Sequence, residues 1–111
     1  MFDRLNAYRI MWVIVFFDLP TVTKRDRKRY TRFRKDIMQD GFELFQWSIY
    51  FRHCMSRENA DAHVSRVKKL LPNKGHVVIM SITDKQFGMM EVFRGVEPIK
   101  TPDAATQLEM F

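Results

Sequence analysis

The feature that most constrains this chain is the run Met11–Phe17, seven apolar residues that end in Asp18 and are closed by Pro20. The run is short, β-branched and aromatic, and it is apolar at every position instead of at every second or every third and fourth. A helix of this length would be unusual. A strand covered on both faces, in the middle of a sheet, accounts for it. Such a strand fixes the point where it emerges, so Asp18 is set down by a rigid scaffold with its carboxylate facing water.

The rest of the chain supplies what must cover that strand. Thr23 is an N-cap with Asp26 three residues on as a short-armed capping box, and Tyr30, Phe33 and Ile37, with Met38 beside them, follow at helical spacing. Gly41 stops this helix. Arg25, Arg29 and Arg32 are expected on its opposite face. Phe42–His53 alternates imperfectly and reads as two short strands or one bent ribbon with a break near Gln46. Ser56 caps a second helix whose Ala60, Val64, Val67 and Leu71 share one face; Pro72 and Gly75 end it. His76–Thr83 reads as a strand, Met89–Phe93 as a short fifth strand, and Gly95–Phe111 as an extended tail.

The order β-α-β-β-α-β, with an extra C-terminal strand, is that of the α+β ferredoxin-like fold: an antiparallel sheet with two helices on one face. With 111 residues, one domain is expected, divided as an N-terminal extension 1–10, a ferredoxin-like domain 11–95 and a tail 96–111. A two-layer domain leaves one sheet face bare, yet the first strand is apolar on both. A symmetric homodimer packed sheet on sheet would cover it.

Charge is patterned. The net charge is +6 and the pI about 9.8, which favours polyanionic partners. Lys24–Lys35 holds eight Lys or Arg against the single acid Asp26. Such a segment is either a solvated face or a phosphate-binding one, and the self-repulsion of so many like charges favours phosphate. The one cysteine, Cys54, excludes an intrachain disulfide and suits a reducing, cytoplasmic setting. The start of the chain is mixed and polar and shows no export-signal pattern. The longest apolar run, Ile10–Phe17, falls far short of the roughly 20 residues that span a bilayer, so no membrane role is expected.

Asp18 is the leading candidate for chemistry. It either opens the turn before Pro20 and pairs with an arginine, or it ligates a hard metal ion. One carboxylate alone is a poor Mg²⁺ site; two copies of Asp18 across a dimer axis would share one ion. Asp84, at the end of the fourth strand, is a candidate second ligand. Gln46 and Ser48 are polar groups among apolar strand positions and read as a hydrogen-bonded kink. His53, His63 and His76 show no metal-ligand spacing with one another or with Cys54, so structural or exposed roles are expected for them.

Taken together, "VIVFFDLP", "KRDRKRYTRFRKDIMQDGF", "QWSIYFR", "LPNKGHVVIMSITDKQF" and "FRG" resemble the second CRISPR-associated adaptation protein family, Cas-two, and among its members those of type II systems. The resemblance runs from Met11 to about Gly95. It implies a ferredoxin-like homodimer, the non-integrase subunit that works with the CRISPR integrase to capture prespacer duplex DNA and insert it as a spacer. It also implies Mg²⁺-dependent endonuclease activity on RNA or duplex DNA. Carried over residue by residue, it makes Asp18 the metal-binding and catalytic acid. Arg25, Arg27 and Arg29, with Arg32 beyond them, become the nucleic-acid-binding surface, and Gln46 and Ser48 the polar pair at the second strand boundary. The family begins at the first strand, so Met1–Ile10 is extra and Met11 is an alternative start. A toxin-like metal-dependent ribonuclease of the same fold would also need Asp18. A generic ferredoxin-like RNA-binding module ranks last, since neither "HVVIMSIT" nor "VIVFFDLP" carries its Lys/Arg-Gly-aromatic consensus.

The tail ends in Gln107-Leu108-Glu109-Met110-Phe111, which resembles the pentapeptide by which many bacterial proteins bind the replicative sliding clamp. Gln107, Leu108, Met110 and Phe111 are therefore candidate docking residues, for the clamp, for the integrase or for the dimer partner; a disordered end is the other reading.

Overall fold

The computed structural model describes residues 9–102. Its elements, in order, are β1 (Met11–Asp18), α1 (Lys24–Gln39), β2 (Glu43–Gln46), β3 (Ile49–Cys54), α2 (Arg57–Leu70), β4 (His76–Thr83), α3 (Asp84–Gly88), β5 (Val92–Arg94) and β6 (Glu97–Ile99). Four strands form one antiparallel sheet in the order β2-β3-β1-β4, the ferredoxin-like arrangement expected from sequence. The candidate docking residues Gln107, Leu108, Met110 and Phe111 lie outside the described residues.

The apolar run does what its composition requires. Alternate residues Met11, Val13, Val15 and Phe17 join Phe33 and Ile37 of α1 and Ala60 and Val67 of α2 in the main core. The intervening Trp12 and Ile14, with Ile10, form a second core with Phe51 and Phe87. The second core corrects the expectation of a wholly bare face. Near the start of β1 that face is covered within the chain by α3, whose Phe87 ring stacks on Trp12 at 3.9 Å and 6°. Toward Asp18 the same face stays open: Val78 is 59% and Met80 41% exposed.

Local signals set the helices. Thr23 and Asp26 form the expected capping box, Thr23 Oγ1 accepting from the Asp26 N–H at 3.0 Å and Asp26 Oδ2 accepting from the Thr23 N–H at 3.2 Å. The hydrogen bond from the Thr23 backbone holds the Asp26 carboxyl below its ordinary value of 3.8, with Arg29 adding to it against the cost of desolvation. A carboxyl lowered in this way stabilises the fold only while ionised. Its contribution is complete above the unfolded value and is lost as pH falls through the folded one. Asp26→Asn should therefore lower the melting temperature at neutral pH, with the gap to wild type closing as pH drops below about 4; melting curves across that range check it.

Several expectations are corrected. Met38 (44% exposed) and Leu71 (45%) are not core residues, and Leu71 is the C-cap of α2. The fifth strand does not begin at Met89. Thr83 and Gln86 form a second capping box that starts α3, Met89 caps its end, and the strand begins only at Val92. The chain beyond Gly95 is not simply extended either. Gly95 has φ +63°, and β6 folds back on β5 as a separate two-stranded hairpin, joining residues on both sides of residue 95. Among the described residues no helix is long and apolar enough to cross a membrane.

Candidate functional site

β1 is buried along nearly its whole length and releases one exposed side chain, that of Asp18. Two neighbours fix its end. On one side Asp18 pairs in register with His76, the first residue of β4. On the other, the Phe17 N–H donates to the Ser48 carbonyl at 3.0 Å, in the turn between β2 and β3. Directly opposed residues on neighbouring strands project to the same face. Asp18 and His76 therefore share the face opposite α1 and α2, and with Ser48 they line a cleft of about 240 Å³ floored by Phe16, Ile49 and Val78.

Two backbone features hold this end rigid. Ser48 has φ +63°, a left-handed conformation uncommon for a residue with a side chain, and it directs its carbonyl at β1. Gly75 has φ +86°, and a Cβ there would lie 2.6 Å from Leu19 Cδ2 and 2.7 Å from the Asp18 carbonyl oxygen. The glycine lets the loop before β4 close onto the strand end. Gly75→Ala should cost roughly 2–4 kcal/mol, a left-handed penalty plus overpacking against a backbone atom. Gly95→Ala, also at positive φ but in open space, should cost only the first term, and Gly88→Ala, at neither, should be close to neutral. Urea unfolding of the three variants checks the order.

The four arginines are spread around α1, and Arg27 and Arg32 line one cleft with Lys24, Lys28 and Lys35. Successive helix residues are about 100° apart, which places Arg27 on a different side from Arg25 and Arg29. Arg29 is turned down onto α1, its guanidinium 3.0 Å from Asp26 Oδ1 and its side chain only 21% exposed. Arg27 donates to the Thr21 and Val22 carbonyls in the loop that leaves Asp18, the shorter contact at 2.9 Å. Arg25 is exposed, and the side chain of Arg32 is 85% exposed with Asp36 at 3.8 Å. Gln46 is exposed at the end of β2.

Asp84 is not beside Asp18. It stands just beyond the other end of the β1–β4 ladder, one residue past Thr83, eight residues along from His76 and therefore about 26 Å away. There its Oδ1 accepts from the Trp12 indole N–H at 2.7 Å. The register excludes it as a second ligand within one chain. Two histidines are structural in position: His53 is buried beside Trp12, and His63 is buried with its Nδ1 2.7 Å from Asp40 Oδ2, which with Arg66 ties α1 to α2. Burial pushes the Cys54 thiol up, which marks it as a core residue rather than a nucleophile. His76 is exposed, as expected, and the register of β4 on β1 brings it beside Asp18, a juxtaposition that no spacing in the sequence shows. Among the described residues no three His, Cys, Asp or Glu side chains gather closely enough to hold a metal ion.

Fold and site together define a ferredoxin-like α+β protein with a basic helix and an acid–histidine pair at one end of its sheet. Residues 11–90 match the family described as CRISPR associated protein Cas2. The chain is 53% identical to a CRISPR-associated endoribonuclease Cas2 of Flavobacterium psychrophilum over 99% of this chain and 96% of that protein. That match takes in nearly all of the segment before Met11 and of the tail. A protein of the same description from Parvibaculum lavamentivorans is 48% identical over 91% of this chain and all of its own length. A solved structure, the crystal structure of cas2, shares the fold with a TM-score of 0.51 at 22% identity, covering 77% of this chain and 88% of that one. The chain belongs to the Cas2 family.

Proposed function

We propose that this protein is a CRISPR adaptation subunit. It acts as a homodimer that binds prespacer duplex DNA and works with the CRISPR integrase in spacer capture and insertion, and its Asp18 end carries endonuclease activity on RNA. The observation that carries the nuclease reading is the in-register pair of Asp18 and His76 on one open sheet face. The relatives' description as endoribonucleases agrees with it. The open patch of Phe16, Val78 and Met80 on that same face supports a second copy packing there, with two Asp18 carboxylates brought toward a common axis.

The donor set suits Mg²⁺ as a shared cofactor. One chain offers a single carboxylate, a poor site by itself, and a second chain would supply the other for an ion that keeps most of its waters. Asp18 would hold the ion, which when bound polarises a phosphodiester and lowers the pKa of a water. The protein's own groups do the rest. His76, opposite Asp18 in the same cleft, is placed to act as the proton-transferring side chain beside the reacting bond. The basic side chains of α1 draw in phosphates.

The test is cleavage of single-stranded RNA by the purified chain. It should require Mg²⁺ and stop on addition of a chelator, and duplex DNA binding should fall steeply with salt. A chain that neither cuts RNA nor binds duplex in low salt would sink the proposal.

A further inference from the structure

Trp47 is 80% exposed, an unusual placement for the largest apolar side chain. It occupies the two-residue turn between β2 and β3, beside Ser48 with its fixed left-handed backbone, so the ring is presented by a stiff element. Its nearest aromatic neighbour is Tyr30 of α1, with ring centroids 6.3 Å apart and planes 26° from parallel. Tyr30, Leu44 and Tyr50 continue the surface into a cleft of about 250 Å³ that Trp47 and Arg34 border. Arg34 is set by its Nε, which donates to the Tyr50 hydroxyl at 2.6 Å. Arg27 and Arg34 stand three residues before and four after Tyr30, on the same stripe of the helix. The result is a near-parallel aromatic pair bordered by the Arg34 side chain, on a helix that also exposes Lys24, Lys28 and Lys35.

We infer that Trp47 and Tyr30 form a stacking platform for an unpaired nucleobase of single-stranded nucleic acid, with Arg34 at its edge and the other basic side chains of α1 beyond it placed for the phosphates. The inference rests on the nucleic-acid-binding reading above and adds the class of ligand and its contacts. Phosphates alone explain the arginines but give no role to an exposed indole. A base has a flat apolar face that stacks on an aromatic ring whatever its identity, and its phosphates answer the positive charge. An apolar protein partner would cover Trp47 equally well but would leave the flanking cations unmatched. Ser48, beside Trp47, lines both this cleft, on the α1 side of the sheet, and the Asp18 cleft on the opposite face.

The chain has two tryptophans, and Trp12 is fully buried, so quenching of tryptophan emission by a nucleic acid reports Trp47. The full chain, with a chelator present, is titrated with a short oligouridylate and with an abasic oligomer carrying the same phosphates. The oligouridylate should quench the emission and bind more tightly than the abasic oligomer. Trp47→Ala should weaken oligouridylate binding about tenfold, and Trp47→Phe should restore most of it. The salt dependence of binding should be the same in wild type and Trp47→Ala, because no charge is removed.

Equal binding of the two oligomers by wild type, with no effect of Trp47→Ala, overturns the platform while leaving phosphate binding in place. A shift in emission that follows protein concentration without any oligomer overturns it too, since a second copy would then be the occupant. Failure of wild type to bind either oligomer overturns the platform and the nucleic-acid reading together.

Discussion

Asp18→Asn is expected to abolish RNA cleavage and to leave the fold intact. The side chain is exposed, so no core contact depends on its charge, and the substitution keeps its shape. The buried strand would persist and present an amide, which is a poor ligand for a hard cation. Thermal unfolding should match wild type, and so should duplex DNA binding, since the basic side chains are on α1. His76→Gln tests the second member of the pair. A positioned general acid or base contributes about 10²–10⁴-fold, so kcat should fall at least about a hundredfold with KM little changed. The variant should also lose one limb of the pH–rate profile, which a merely structural histidine would not do. Cleavage retained by Asp18→Asn places the chemistry elsewhere. A His76→Gln profile of unchanged shape removes His76 from the reaction.

The two variants also separate the roles of the family. Spacer acquisition in cells holding the cognate array and integrase can be scored for Asp18→Asn directly. Acquisition that survives this substitution makes the protein a scaffold whose nuclease end is secondary. Acquisition that fails, in a variant that still folds and binds DNA, makes the carboxylate essential to the adaptation step.

Which parts of this were legible in the sequence follows from how local each signal is. The run Met11–Phe17, the Thr23–Asp26 capping box, the Ser56 cap and the break after Gln46 are all written within a few residues, and all appear in the fold. The Thr83–Gln86 capping box was just as local, but it abuts a strand and leads a helix of only five residues with one buried apolar side chain, so periodicity gave no support. The division of the arginines between two sides of α1 follows from the helical angle alone. The pairing of Asp18 with His76 does not. It depends on the register of β1 against β4, which the packing of the whole sheet selects, and no spacing within the chain encodes it. The same holds for Trp47 over Tyr30, which meet only because the β2–β3 turn folds back along α1.

Trp12→Ala is expected to destabilise the fold by about 3–5 kcal/mol. Trp12 is fully buried, with Phe87 stacked at 3.9 Å on it and Phe51 at 5.3 Å, and its indole N–H is held by Asp84 at 2.7 Å. Among the described residues α3 is five residues long with one buried side chain, Phe87, which also stacks on Phe51 at 5.7 Å, and a backbone bond runs from the Asp84 N–H to the Ile10 carbonyl at 2.8 Å. Removing the indole leaves a cavity between β1 and α3 and deprives the helix of its packing partner at the same time. Trp12→Phe keeps an aromatic ring against Phe87 and loses the bond to Asp84, so it should cost about 1–3 kcal/mol. Urea midpoints followed by circular dichroism give both values. Hydrogen exchange of α3 amides distinguishes the causes: fast exchange in Trp12→Ala but near wild-type protection in Trp12→Phe means that stacking, and not the indole hydrogen bond, secures the helix. Equal exchange in the two variants would instead make Asp84 the anchor. In either case the Asp18 end should be little affected, because the Trp12 core and Asp18 lie at opposite ends of the same strand, and the β3 and β4 ladders on its two sides hold the register between them.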